Sequence, residues 1–248
     1  MKLDVIFAPA GLTPAEVAGR PVFVIDVLRA STTICAALHN GARAVVPVAT
    51  AEEAMKLAQS LGPADTVTAG ERNSQPIAGL ALGNSPLEMT EAAVGGKTVV
   101  MTTTNGTRAL LATQGASEVY VAAAVNLAAA GARARELVLD RQDPVILCAG
   151  KDSAFGMDDA YAAGRLLLAA QGGSRRRKGL NDAALVAMDL VRRYGAKWER
   201  PFVLSAAGRQ LTRLGMAADI EVATRQDAYP VLPVFRDRRI TPWSATPS

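Results

Sequence analysis

Short uninterrupted apolar runs alternate along the chain with longer Ala- and Leu-rich stretches of helical period. Residues 3–7, 22–25, 44–48, 66–69, 98–101, 119–123 and 145–148 read as strands. They show no in–out alternation, which predicts strands buried on both faces, as in a parallel sheet covered by helices. Helices are predicted over 31–39, 51–61, 127–139, 158–170, 181–194 and 205–214, with another following Arg108 to about Gln114. Thr13-Pro14-Ala15-Glu16 and Thr50-Ala51-Glu52-Glu53 have the pattern of capped helix starts, and Asn40-Gly41 that of a helix stop. Residues 74–86 read as a long loop, and the prolines within 229–235 predict an edge strand.

A larger pattern lies over these elements. Strand, polar turn, helix, Gly-Ala, strand, helix occurs over 22–61 and again over 98–139; the first three members recur over 145–170. We read this as the ordinary grammar of α/β folds rather than as a duplication. The chain of 248 residues then forms one α/β domain over 1–248, or two α/β lobes meeting near 86–97. Several polar turns should gather on one edge of one sheet.

Composition supports this reading. Half of the residues are hydrophobic and 4% aromatic, so the core must be built from Ala, Val, Leu and Ile. The net charge of +4 rests on the run Arg175-Arg176-Arg177-Lys178; the remaining 23 basic residues balance 23 acidic ones. Without accompanying aromatics this run reads as a solvated loop, and nucleic acid is not the expected partner. Cys35 and Cys148 cannot form a disulfide framework and suit a reducing compartment. The N-terminus carries an acid where a signal peptide needs its apolar segment. The apolar stretch 119–132, interrupted by Asn126, is too short to span a bilayer. A cytoplasmic protein without membrane association is expected.

Candidate chemistry collects at the strand ends. The run Val22-Phe23-Val24-Ile25 ends on Asp26 and crosses Arg29, Ser31, Thr32 and Thr33 into a helix. Ligands of open α/β sheets sit outside such carboxyl ends. Two further turns, Thr102-Thr103-Thr104-Asn105-Gly106-Thr107-Arg108 and Lys151-Asp152-Ser153, are also rich in donors suited to phosphate or sulfonate. Helix capping accounts for single residues of these turns, but not for four consecutive polar residues followed by Gly106, Thr107 and Arg108. Asp26, Glu71, Asp158 and Asp159 stand at strand ends and helix starts, and carboxylates without a His or Cys cluster suit Mg²⁺. An acid directly after an apolar strand is costly to bury unless paired or bound to metal.

Absences narrow the field. His39 is the only histidine, which argues against a serine–histidine triad. No Gly-x-Gly-x-x-Gly follows a strand and no Walker loop occurs. The cysteines lack the Cys-x5-Arg spacing of thiolate phosphatases, and Asp26-Val27-Leu28 lacks the second Asp of haloacid-dehalogenase-type phosphatases. The remaining acids, arginines, threonines and asparagine suit metal-assisted work on a phosphate ester.

On these residues the chain resembles the 2-phosphosulfolactate phosphatase family. The resemblance is carried by residues 24–33, Ala69-Gly70-Glu71-Arg72, Gly83-Asn84-Ser85-Pro86, residues 102–108, Cys148-Ala149-Gly150, Phe155-Gly156-Met157-Asp158-Asp159-Ala160, Ser205-Ala206-Ala207-Gly208 and Asp219-Ile220. It implies a three-layer α/β/α fold with a largely parallel or mixed central sheet. It also implies a Mg²⁺-dependent hydrolase giving 3-sulfolactate from 2-phospho-3-sulfolactate on the route to coenzyme M. On this resemblance Asp26, Arg29 and Glu71 are expected to be catalytic. Asp26, Glu71 and one of Asp158 or Asp159 would hold Mg²⁺; Asp158 stands where the family usually has Glu. Ser31, Thr32, Arg72, Thr104, Asn105, Gly106, Thr107 and Arg108 would bind a small phosphate- and sulfonate-bearing substrate. Two alternatives stand beside this: the same mechanism on another small phosphate ester, and a non-catalytic binder of small polyanions. Four carboxylates beside the phosphate would gain a pure anion binder nothing. A homo-oligomer is compatible with the sequence.

Overall fold

The structure, a computed structural model, describes residues 2–10, 12–152, 154–174 and 177–244. The chain begins with β1 (Asp4–Ile6), α1 (Pro14–Val17), β2 (Pro21–Ile25), α2 (Ala30–His39), β3 (Ala44–Pro47) and α3 (Ala51–Leu61). Next come β4 (Thr66–Arg72), β5 (Gln75–Pro76), α4 (Glu91–Val94), β6 (Thr98–Thr102), α5 (Gly106–Leu111) and β7 (Glu118–Ala122). They are followed by α6 (Leu127–Leu139), β8 (Val145–Cys148), α7 (Met157–Ala170) and α8 (Asp182–Tyr194). The described chain closes with α9 (Glu199–Leu204), α10 (Ala206–Arg213), α11 (Ala217–Ala223), β9 (Pro233–Arg236) and β10 (Arg239–Pro242). The caps read from sequence form: Thr50 Oγ1 accepts the Glu53 N–H at 3.1 Å, and the Thr13 N–H donates to Glu16 at 2.8 Å. Of the basic run, Arg175 and Arg176 lie outside the described residues, and Arg177 and Lys178 are exposed.

The fold is α/β in three layers. Phe23, Ile25, Tyr120, Ala122, Ile146 and Cys148 turn one way, against α6, α7 and α8. Val22, Val24, Val119, Val121, Val145 and Leu147 turn the other way and share a core with Val45, Val99 and Met101, around Ile34 and Leu38 of α2 and Leu110 of α5. Val46 and Val100 pack against Ala54 and Leu57 of α3. Burial on both faces is the physical reason these strands read as unbroken apolar runs. Among the described residues no helix is long and apolar enough to cross a membrane.

The ten strands form one mixed sheet in the order β1-β8-β2-β7-β9-β10-β3-β6-β4-β5. Strands β1, β8, β2 and β7 are mutually parallel, as are β3, β6 and β4. The β9–β10 hairpin joins the two blocks, antiparallel to both β7 and β3. The sequence reading of 229–235 as an edge strand is therefore corrected: β9 is internal. Its prolines are tolerated because Pro233 is the first residue of β9 and pairs with Pro242, the last of β10, at the open end of the hairpin. The turn, Asp237-Arg238, has φ of 50° and 59°, the primed geometry that fits a two-residue hairpin, but without the glycine that would have signalled it.

The recurrence also gains a stronger meaning than α/β grammar. Mapping β2, β3 and β4 onto β6, β7 and β8 turns the order β8-β2-β7 into β4-β6-β3, the other block read inward towards the hairpin. The two units are thus related by an approximate twofold through the hairpin, which ordinary strand–helix alternation does not require. The matching turns share a bond: Asp26 N–H donates to Ser31 Oγ at 2.8 Å, and Thr103 N–H to Thr107 Oγ1 at 3.1 Å. A twist of roughly 20–25° per strand accumulates to roughly 120–150° over the six steps from β2 to β4. Strands that are antiparallel in the ladder thereby bring their carboxyl ends to one place.

Ile240 is fully buried and stands opposite Val45, where the hairpin meets the second block. Ile240→Ala should lower unfolding stability by about 2–4 kcal/mol in urea titration, the cost of a cavity with little freedom to collapse.

Candidate active site

The site begins where β2 runs out. The Asp26 carboxylate is buried, and its Oδ1 accepts the Ala30 N–H at 3.3 Å while its main-chain oxygen accepts the Ser31 N–H at 2.7 Å. The acid, not a ligand, thus takes the first donors of α2. Gly106 comes so close that a Cβ there would stand 2.5 Å from Ala30 Cβ and 2.8 Å from Asp26 Oδ2. Only glycine lets the turns of the two units meet.

Three more acids complete the setting. Glu71, near the end of β4, accepts the Thr104 N–H at 2.6 Å and the Ser74 N–H at 2.7 Å, which ties the turn after β6 to the β4–β5 turn. Asp159 accepts the Val27 N–H at 2.9 Å and the Gly150 N–H at 3.0 Å, bracing the ends of β2 and β8. Its neighbour Asp158 lies in the same cleft with Asp26, Arg29, Glu71, Asn73, Ser74, Asn84, Thr104, Asn105 and Lys151. Arg29 is sequestered within the wall: it donates to Asp219 Oδ2 and to the Ser74 carbonyl, each at 2.6 Å, and Ser85 Oγ donates to Asp219 Oδ1 at 2.5 Å.

The charges are under strain. Burial and the charges of Glu71 and Asp158 push Asp26 up to about 7, against the pull of the Ala30 N–H and Arg29. Burial raises Asp158 to about 6, opposed by N–H donors, the Ser205 hydroxyl and Lys151. Asp159 is raised by burial and by Asp158 and Asp26, and held back by its two N–H donors. Burial likewise pushes up the thiols of Cys35 and Cys148, which leaves neither suited to act as a thiolate.

Two buried oxygens that line the cleft, Asn84 Oδ1 and Thr104 Oγ1, have no partner among the described residues. With the carboxylates they form an all-oxygen donor set, free of histidine and thiolate, which fits a hard cation such as Mg²⁺. Among the described residues no three acidic, His or Cys side chains converge as a ready cluster. The fit is therefore to an ion held by one or two carboxylates and otherwise by water and substrate oxygens, the usual manner of Mg²⁺.

The structure sorts the residues singled out by sequence. Asp26, Arg29, Glu71, Thr104, Asn105, Asp158 and Asp159 are brought together around the cleft. Ser31 and Thr32 are not brought to it: the Ser31 hydroxyl accepts the Asp26 N–H and the Thr32 hydroxyl donates to the Val27 carbonyl at 2.8 Å. The Thr107 hydroxyl bonds to Thr103, and Gly106 serves the close approach to Ala30. Arg72 donates to the carbonyls of Glu71 and Ala49 and to Thr102 Oγ1, and with Thr104, Thr107 and the exposed Arg108 lines an adjoining cleft. Ser153 lies outside the described residues. Sequence reasoning assigned no role to Asn84, although its Gly-Asn-Ser-Pro context stood out, nor to Asp219 or Gln210, whose partners are distant in the chain.

A family model described as 2-phosphosulpholactate phosphatase matches residues 6–238. A Symbiobacterium thermophilum protein named probable 2-phosphosulfolactate phosphatase is 42% identical over 230 residues, covering 92% of this chain and 97% of the relative. Relatives of the same name from Caldanaerobacter subterraneus and Thermotoga petrophila are 36% and 35% identical, over 87% and 94% of this chain and 88% and 95% of their own.

Gly106→Ala should lower stability by about 1–3 kcal/mol through overpacking and depress activity with it, read by thermal melting and turnover. A second expectation concerns pH. The native pKa of Asp26, about 7, lies above its ordinary value of 3.8, so between those values the native state holds more protons than the unfolded one. Its contribution to stability is full at low pH and is lost as pH rises towards 7. In chelator, Asp26→Asn should therefore melt higher than the unmodified protein at pH 8, and the difference should shrink towards pH 4.

Proposed function

The chain belongs to the 2-phosphosulfolactate phosphatase family, a family of phosphoric monoester hydrolases, and on that premise we propose that it hydrolyses 2-phospho-3-sulfolactate to 3-sulfolactate and inorganic phosphate with Mg²⁺. In this reading it serves a route to coenzyme M. The observation that carries the proposal is the cleft that Asp26, Glu71 and Asp158 all line, beside two oxygens left without a partner among the described residues.

One or two of Asp26, Glu71 and Asp158 would hold the ion directly and the rest through water; Asp159, like Glu71, already has both oxygens on main-chain N–H groups. Bound Mg²⁺ would neutralise charge on the phosphoryl oxygens and orient the ester. Water attacks phosphorus, the P–O bond to the C2 oxygen breaks, and its electron pair leaves on that oxygen, which is then protonated. Attack by Asp26 itself, through an acyl phosphate that water later cleaves, is the competing route. Thr104 lines both the carboxylate cleft and the one it shares with Arg72 and Arg108, and Asn105 lines both the carboxylate cleft and a smaller one beside Pro9 and Arg108. This layout suits a substrate with two anionic ends, the sulfonate reaching Arg108 and Thr104 while the phosphate meets the acids. Arg29, anchored by Asp219, would act by fixing the cleft wall, and Arg72 by fixing the turn after β6.

The decisive experiment is phosphate release from a panel of small phosphate esters, with and without Mg²⁺. Phosphosulfolactate should be the best substrate, chelator should abolish release, and Asp26→Asn should lower kcat by about a thousandfold or more. Turnover indifferent to chelator, or near-normal activity of the variant, would remove Asp26 and the metal from the reading. A labelled aspartyl phosphate trapped in a single turnover would exclude direct attack by water.

A further inference from the structure

A phosphate monoester brings close to two negative charges at neutral pH into a cleft that already holds several carboxylates. A bound cation offsets part of this repulsion, and the protein's own cations must supply the rest. Their donors are unevenly engaged. Arg29 spends its guanidinium on Asp219, Met216 and the Ser74 carbonyl. Arg72 spends its own on the Glu71 and Ala49 carbonyls and Thr102 Oγ1. Arg108 is exposed and lines the adjoining clefts rather than that of the carboxylates.

Lys151 differs from all three. It lines the carboxylate cleft, and its side chain is 24% exposed. Its Nζ donates to Gln210 Oε1 at 2.6 Å and lies 3.7 Å from Asp152 Oδ2, too far for a hydrogen bond. An ammonium carries three donors, so capacity remains towards the cleft. Gln210 is itself fixed, because its Nε2 donates to the Asn73 carbonyl at 2.9 Å. The twofold relation adds a second argument. β4 carries Glu71 near its end and the turn after its counterpart β8 carries Lys151, so one unit delivers a carboxylate and the other an ammonium to the same cleft.

We propose that Lys151 is a substrate-contacting residue whose ammonium, steered by Gln210, binds the phosphoryl oxygens of the ester beside Asp26, Glu71 and Asp158. The proposal rests on the phosphatase reading of this cleft. Lysine suits the task as a compact point charge on a flexible stem.

The test is calorimetric titration of the full chain with inorganic phosphate, alongside steady-state kinetics on phosphosulfolactate. Lys151→Met should weaken phosphate binding and lower kcat/KM by about 10- to 100-fold, the worth of one charge-assisted hydrogen bond. Lys151→Arg should recover most of both. Phosphate affinity and kcat/KM of the Met variant within about threefold of the unmodified protein would overturn the proposal. So would a loss that the Arg variant does not recover while its melting temperature is unchanged. Should the Met variant not fold, Lys151→Gln keeps the polar contact to Gln210 without the charge, and the same criteria apply. If the unmodified protein releases phosphate from no ester, the phosphatase reading fails, yet titration with phosphate still decides the role of Lys151.

Discussion

No side chain fits where the turn after β6 meets the turn after β2. Gly106 lies against Ala30 and Asp26 across the approximate twofold, and that approach makes the cleft a joint product of both units. One unit supplies Asp26 and the opening of α2; the other supplies Thr104 and Asn105, held by Glu71 through the Thr104 N–H. Neither turn alone surrounds a ligand. Twist supplies the remainder, because without it the two sets of strand ends would face opposite sides of the sheet.

Within that frame the chain separates holding from acting. Asp159, Ser31, Thr32, Thr107, Arg29 and Asp219 have their polar atoms engaged within the protein and fix the backbone around the cleft. Asp26 and Asp158 are left with displaced ionisation, and Asn84 and Thr104 with unpaired oxygens. Buried polar groups are ordinarily satisfied, so such a collection in one place marks where stability has yielded to chemistry.

Much of this was legible in the sequence. The strands announced themselves because burial on both faces removes polar residues, and Asp26 stood out because an acid closes such a run. Glu71 was legible as another acid at a strand end, and the Thr-Asn-Gly-Thr-Arg turn by its run of donors. What escaped was set by partners far along the chain. Nothing near Arg29 says that Asp219 will take its charge, and nothing near Lys151 points to Gln210. β9 was read as a strand but set at an edge because of its prolines, β10 was obscured by a turn without glycine, and α9 and α11 are too short for periodicity to declare them. The recurrence over 22–61 and 98–139 was visible, but its meaning depended on strand order, which composition does not carry.

The hairpin between the blocks has a kinetic consequence. Ile240 pairs with Val45 across roughly two hundred residues, and β9 with β7 across more than a hundred. A chain emerging from the ribosome therefore completes both parallel blocks while β3 and β7 still present open, apolar edges. Until β9 and β10 arrive, each edge is a template for strands of another nascent chain. The segment that completes the sheet thus also ends the period in which the newborn protein is most exposed to aggregation.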